Sequence, residues 1–369
     1  MPKPSRIAIA LSAAILALTA ACGAVLTRSP SNLIDMATQH DPAALRATPY
    51  DRPLVVILAD TAGTETTDLL VPYGVMQRSG VVDVLIVATG AGIVQLMPAL
   101  QVNADMTIAD FDATRPDGAD VVIVPAFHSG GTEVTSAFLR RQAAQGALIV
   151  SICEGAEAVA KAGLFEGRKA TTHWFAQAPL ARRYPGTDWV RNTRYLADGP
   201  VMSSSGVSAS LSVSLALIDS LAGRRAADQT AAAVGVNNWS ATHDSTAFRL
   251  GAGLIAKAGQ NFAGFWRHEE IGVVLEDGFD GMAFALQADA WSRTYRSSLV
   301  AINPRGVVTS ADGVTFLTET EAGTRPLLPA ASGAPFDSLD MTLSAIAARY
   351  DQRTAAFVAM QLEYPWSAE

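Results

Sequence analysis

Four apolar runs of strand length, separated by helical or turn-rich stretches, constrain this chain more than any other feature. Leu54–Leu58 contains no polar residue, and Val82–Val87, Ala119–Val124 and Ala147–Ile152 carry one polar residue each. A run that is apolar on both faces belongs in a sheet covered on both sides, as parallel sheets are. Between the runs, Thr67–Gln77 reads as a helix ending near Gly80, Thr135–Gln145 as a second, and Ala156–Ala162 as a third stopped by Gly163. Strands alternating with helices predict βαβ units around a parallel sheet. With 369 residues, 49% hydrophobic and 17% charged, the chain can bury a large core and divide into two domains. Its net charge of -8, with no block of Lys or Arg, argues against a nucleic-acid surface.

The fourth run leads into Ser-Ile-Cys-Glu-Gly-Ala, residues 151–156. A cysteine at a strand-to-helix turn sits on a sharp bend above a helix N-terminus, whose partial positive charge favours thiolate. The bland alternative is a buried structural cysteine, which fits the neighbouring Glu154 and Gly155 poorly. The carboxyl end of a central strand is also where open α/β sheets bind their ligands. Cys153 is therefore the candidate centre of the site.

The only other cysteine, Cys22, lies in a different context. Lys3 and Arg6 precede an apolar stretch from Ile7 to Leu26, the pattern of an export signal. Small residues from Thr19 to Ala21 directly before Cys22 resemble a bacterial lipoprotein cleavage site, which would make Cys22 the acylated first residue. An uncleaved anchor is the alternative, since roughly 20 apolar residues can span a bilayer. Either places the remainder at the cell envelope, facing the periplasm or exterior and attached to the bacterial membrane through its N-terminus. A disulfide from Cys22 to Cys153 is not expected, because Cys22 lies in the membrane-directed segment. Cys153 is then a free thiol in an oxidising compartment, unusual unless it is used. The chain divides into a signal or anchor (1–28), a Ser-, Pro- and Thr-rich linker (29–52), a first domain (53–225), a connector (226–264) and a C-terminal unit (265–369).

Past the cysteine the chain runs Ala-Gly-Leu-Phe-Glu-Gly-Arg-Lys-Ala-Thr-Thr-His-Trp (162–174), and Pro200–Gly206 leads into a helix from Ser208 to Leu221. Together with residues 151–156, these ordered motifs resemble the ThiJ/PfpI family of the class I glutamine-amidotransferase-like superfamily, from about Leu54 to Leu221. The resemblance implies a flavodoxin-like parallel-sheet α/β sandwich with Cys153 as the nucleophile-elbow cysteine. Asp68 falls where members carry an acid that hydrogen-bonds the sulfur, and His173 where many carry a histidine approaching it. An acid that donates to sulfur must hold a proton, so the pair should titrate as a unit. Backbone N–H groups of Ala126–Phe127 and Cys153–Glu154 would then supply oxyanion donors. Two residues depart from the family pattern. Phe127 stands where glycine usually leaves space, and the Glu154 carboxylate beside the thiol raises its pKa.

The last hundred residues repeat the opening order. Ile271–Leu275 reads as a strand, Met282–Trp291 as a helix, Ser298–Ile302 as a strand and Val307–Phe316 as a hairpin. This predicts a second, shortened α/β unit resembling the first, without a nucleophile. Pairing then takes place either within one chain or in a homodimer. His243 and Asp244 adjoin on a polar loop, but the histidines give no metal-ligand spacing, and neither a metal nor a cofactor is expected. The function implied is a cysteine-dependent hydratase, lyase or hydrolase acting on a small electrophilic carbonyl, isocyanide or amide. The alternative is a non-catalytic ligand- or redox-sensing module of the same fold. For the N-terminus, a lipoprotein incorporates labelled palmitate at Cys22, is blocked in processing by globomycin, and loses the label in Cys22→Ala. An uncleaved anchor shows none of these.

Overall fold

A computed structural model describes residues 30–35 and 48–367. The signal or anchor over 1–28, including Cys22, lies outside the described residues. Leu33–Asp35, inside the stretch expected to be a linker, forms a strand parallel to Asp188–Arg191, which pairs in turn with Lys169–Ala170.

The apolar runs form the middle of a seven-stranded sheet. Its order is Tyr195–Asp198, Val201–Ser204, Leu148–Ser151, Val121–Val124, Leu54–Ala59, Asp83–Ala88, Met106–Thr107. Every neighbouring pair is parallel except the first, which is antiparallel. Leu54–Ala59 is buried throughout, and its side chains alternate between two cores. Val55, Ile57 and Ala59 meet the helices Thr66–Ser79 and Ala209–Ala222. Leu54, Val56 and Leu58 meet Glu133–Ala144, Gly155–Lys161 and Trp174–Arg183. The sheet order reverses at Leu54–Ala59, and the carboxyl ends of that strand and Val121–Val124 form the switch point where open α/β sheets bind ligands. Cys153 follows the adjoining strand.

The C-terminal residues build a parallel sheet in the order Ser297–Ile302, Glu269–Val274, Leu327–Leu328. The helix Gly281–Ser292 connects its first two strands in sequence, and Pro335–Arg349 and Gln352–Gln361 close the chain. The two halves meet in a mixed five-stranded sheet, in which the hairpin Val307–Thr309/Thr315–Leu317 joins Gln101–Asn103 at Phe316 and Val102. They also share one apolar core, in which Phe284, Leu343 and Val358 pack with Leu69 and Leu215. Gly74 marks the close approach of helices Thr66–Ser79 and Gly281–Ser292: a Cβ there would lie 2.4 Å from Met282 Cγ. Among the described residues, no helix is long and apolar enough to cross a membrane.

At the edge of this contact Arg78 donates to Asp312 through Nε (2.7 Å) and Nη2 (2.9 Å), and to Asp280 through Nη2 (2.8 Å). The Asp312 side chain is almost fully buried, so losing the guanidinium strands a carboxylate with little access to water. Arg78→Met is expected to lower the unfolding free energy by about 2–3 kcal/mol, read from the denaturant midpoint at unchanged slope.

Candidate functional site

The strand Leu148–Ser151 ends in a turn that the next strand holds in place. Ile152 N–H donates to Val124 O (3.0 Å), Cys153 N–H to Ser205 O (3.0 Å), and Gly155 N–H back to Ile152 O (2.8 Å). Cys153 takes φ 55°, the left-handed region that side chains other than glycine seldom occupy. Gly155 makes this possible. A Cβ at that position would lie 2.1 Å from Val124 O, so only glycine lets the helix Gly155–Lys161 start so close to the neighbouring strand. Thr172 Oγ1 donates to the Cys153 carbonyl (2.8 Å), tying the loop that bears His173 to the turn.

Cys153 is a free thiol, 7% exposed. The helix N-terminus was expected to favour thiolate, but here the balance goes the other way. Burial pushes the thiol up, and the charges of Asp68, Glu154 and Glu65 push it further, against one stabilising hydrogen bond from the Glu154 N–H. The helix has only seven residues, and its end cannot offset three carboxyls around a buried sulfur.

Asp68 sits in the first turn of helix Thr66–Ser79, with no exposed surface. Its Oδ2 accepts from Ala126 N–H (3.1 Å), and its Oδ1 has no hydrogen-bond partner. Burial, then the neighbouring Glu65, raises its pKa well above the usual carboxylate range. Asp68 is thus an acid that burial disposes to keep its proton. No hydrogen bond joins it to the sulfur, and a charge on Asp68 acts only to raise the thiol further.

His173 precedes helix Trp174–Arg183 and is nearly buried. Its Nε2 faces the carbonyl of Gln361 (3.1 Å). A carbonyl only accepts, so Nε2 carries the hydrogen and Nδ1 is the basic nitrogen of the neutral ring. Nδ1 has no hydrogen-bond partner and lies 3.9 Å from Glu154 Oε1. The Glu154 side chain is 48% exposed and marks the solvent side of this group.

The expected oxyanion donors are differently engaged. Ala126 N–H is committed to Asp68, and Glu154 N–H to the sulfur. Phe127 does not fill the site, because its ring packs with Leu58 and Phe138 in the core on the other face of the sheet. Its N–H, between the Glu65–Ala126 and His128–Gly63 backbone bonds, has no partner among the described residues. His243 and Asp244 diverge: Asp244 caps a short turn by accepting from Thr246 N–H (2.9 Å), while His243 Nε2 meets Glu363 Oε1 at 2.7 Å. Among the described residues no cluster of three His, Cys, Asp or Glu is arranged to hold a metal ion. Surface clefts of ≈ 280 and ≈ 290 Å³ are lined by neither Cys153, Asp68 nor His173.

With this geometry in hand, comparison with known proteins is direct. The model of the DJ-1/PfpI family matches residues 54–220. An isonitrile hydratase of Pseudomonas putida is 31% identical over 162 residues, covering 42% of this chain and 67% of that protein. The chain belongs to the DJ-1/PfpI family. Protein dj-1beta of Drosophila melanogaster is 25% identical over 182 residues, 48% of this chain and 93% of that protein. The crystal structure of the Drosophila protein superposes with a TM-score of 0.45 at 20% identity, covering 51% of this chain and all of that one. The seven-stranded sheet with helices on both faces is the flavodoxin-like α/β fold of the DJ-1/PfpI family.

Around this candidate site in the DJ-1/PfpI domain stand residues that the sequence did not single out. Glu65 caps the helix that carries Asp68, and Arg293 pairs with Glu65 from the C-terminal half. Glu363, fully buried at φ 52°, accepts from Gly206 N–H (2.6 Å) and holds His243. A Cβ at Gly206 would meet His173 Cδ2 at 2.6 Å and Glu363 Oε2 at 2.5 Å, so glycine lets both pack against the loop beside Cys153. Of these, only Glu65 carried a local signal, an acid three residues before Asp68 at a helix start.

Two outcomes follow from this geometry. Iodoacetamide labels Cys153 more slowly than a free thiol at pH 7, and the rate keeps rising above pH 9, because the thiol's pKa is raised. Gly155→Ala destabilises the fold by more than about 2 kcal/mol through the clash with Val124 O, measured by chemical denaturation.

Proposed function

We propose that this protein is a cysteine-dependent hydratase of small electrophiles, with isonitriles favoured over carbonyls and amides. The observation that carries the reading is a fully buried acid, Asp68, with one oxygen unpartnered and its pKa raised, beside a buried thiol whose own pKa is raised. Such a pair suits addition of S–H across a carbon that needs a proton as much as a nucleophile. Cys153 Sγ bonds to the terminal carbon of R–N≡C while Asp68 delivers a proton to that carbon and is refilled by the thiol's proton. The product is the thioimidate R–N=CH–S–Cys. Water then adds to this carbon, with His173 Nδ1 taking its proton, and the imine nitrogen is protonated. Loss of sulfur as the thiol releases the formamide R–NH–CHO, with one water consumed. No step requires a full oxyanion.

That feature separates hydration from amide hydrolysis. Acyl transfer builds a negative oxygen and relies on aimed N–H donors. Here one of the expected donors is bonded to Asp68 and another to sulfur, and the surrounding carboxyls repel an anion. The similarity to an isonitrile hydratase supports the same choice. A ligand- or redox-sensing module is the second reading, favoured by the low exposure of the thiol.

The same proposal treats Cys153 as an elbow nucleophile and residues 265–369 as a shortened copy of the fold. The copy is supported by the repeated order of strand, helix, strand and hairpin, and by the pairing of equivalent helices and hairpins across the two halves. An envelope location, through a lipidated Cys22 or an anchor, rests on the N-terminal sequence.

Incubation with cyclohexyl isonitrile, followed by NMR of the formamide, tests the activity. Formamide should form catalytically, vanish in Cys153→Ser, and form about 100-fold more slowly in Asp68→Asn. Stoichiometric modification of Cys153 with no formamide above the Cys153→Ser background would replace the hydratase with the sensing reading.

A further inference from the structure

The C-terminal half sends a charged group into the acids beside Cys153. Arg293, which closes helix Gly281–Ser292, donates from Nη2 to Glu65 Oε1 (2.6 Å) and from Nε to both oxygens of Asp289 (2.8 and 2.9 Å). Glu65 also accepts from Thr67 Oγ1 (2.9 Å) and Asp68 N–H (2.5 Å). Each of these partners donates, so both oxygens of Glu65 are engaged as acceptors. Asp68, three residues on, has a single N–H on one oxygen and nothing on the other. Two adjacent acids therefore differ in one respect: a cation holds Glu65 and none touches Asp68.

We propose that Arg293 is a positioning residue for the thiol site: by pairing with Glu65, it leaves Asp68 as the unpaired acid beside Cys153. This rests on the site proposed above, with Cys153 and Asp68 as its reacting groups, but not on any particular substrate. The site is then completed by a residue 228 positions away in sequence. The groups that face this cluster are Glu65, Asp68, Asp289 and Arg293 within it, Cys153 and Glu154 from the strand-to-helix turn, His173 from its loop, and Tyr295 beyond Arg293. Glu65 and Asp289 both bond this one guanidinium, and Asp68 feels its charge without touching it. Asp289 is pushed up to about 8, mainly by burial. Removing the guanidinium forces a new distribution of protons over Glu65 and Asp68, and withdraws the positive charge that favours the thiolate.

The test uses the full chain and reads the pH dependence of iodoacetamide labelling at Cys153 by mass spectrometry, with folding checked by circular dichroism. Arg293→Met should move the labelling midpoint upward by about one pH unit. Arg293→Lys, which keeps the charge but cannot span both acids, should move it less, in the same direction. Arg293→Met with Glu65→Gln removes cation and carboxylate together and should return the profile toward wild type. An unchanged profile in folded Arg293→Met overturns the role. If Arg293→Met does not fold, the double variant decides, and a profile displaced upward by about a full unit overturns it equally. Labelling needs no turnover, so a shifted profile without formamide keeps Arg293 in place and removes only the hydratase reading. Formamide production with an unshifted profile does the reverse.

Discussion

Three carboxyls and a thiol are buried around one guanidinium, and the chemistry available to this protein depends on that imbalance. A buried acid without a cation gives up its charge sooner than it keeps it unsolvated. Glu65 has Arg293; Asp68 has one backbone N–H and a raised pKa. The same shortage of positive charge holds the Cys153 thiol in its neutral form. The proposed chemistry accordingly moves protons rather than relying on a preformed anion, and the backbone donors at Ala126 and Glu154 are already engaged.

The architecture that maintains this state is rigid at the turn and composite elsewhere. Gly155 against Val124 O and Cys153 N–H on Ser205 O fix the sulfur relative to two neighbouring strands. The groups around it come from further away. His173 is held by the Gln361 carbonyl, and Gln361 in turn donates from its side chain to the Arg293 carbonyl (3.1 Å). Glu363 reaches Gly206 from the same C-terminal segment. The basic nitrogen of His173 and the ion pair on Glu65 are thus positioned by neighbouring ends of two C-terminal helices.

The sheet was legible because its strands are apolar on both faces, and the Cys153 turn because it follows such a strand. Asp68 and His173 came from ordered family motifs rather than from any local pattern. Their partners were not legible, for physical reasons. Glu65 resembles an ordinary helix cap, and only its burial and its contact with Arg293 set it apart. Glu363 lies in a closing segment whose sequence says nothing of Gly206. Phe127 shows how parity decides: in the loop its side chain falls on the opposite face from Cys153, so a bulky ring replaces glycine without entering the site. The thiol misled because the helix-end effect can be read from sequence, whereas the sum of burial and three carboxyls requires the fold.

The shared five-stranded sheet has a kinetic corollary. Where a site needs a group from a second molecule, its occupancy falls as the protein is diluted. Here the strands that meet at Phe316 and Val102 belong to one chain, and their meeting is an intramolecular event with its own effective concentration. Arg293 arrives at Glu65 as part of folding, not of association. Dilution of the protein therefore leaves the Arg293–Glu65 pair in place.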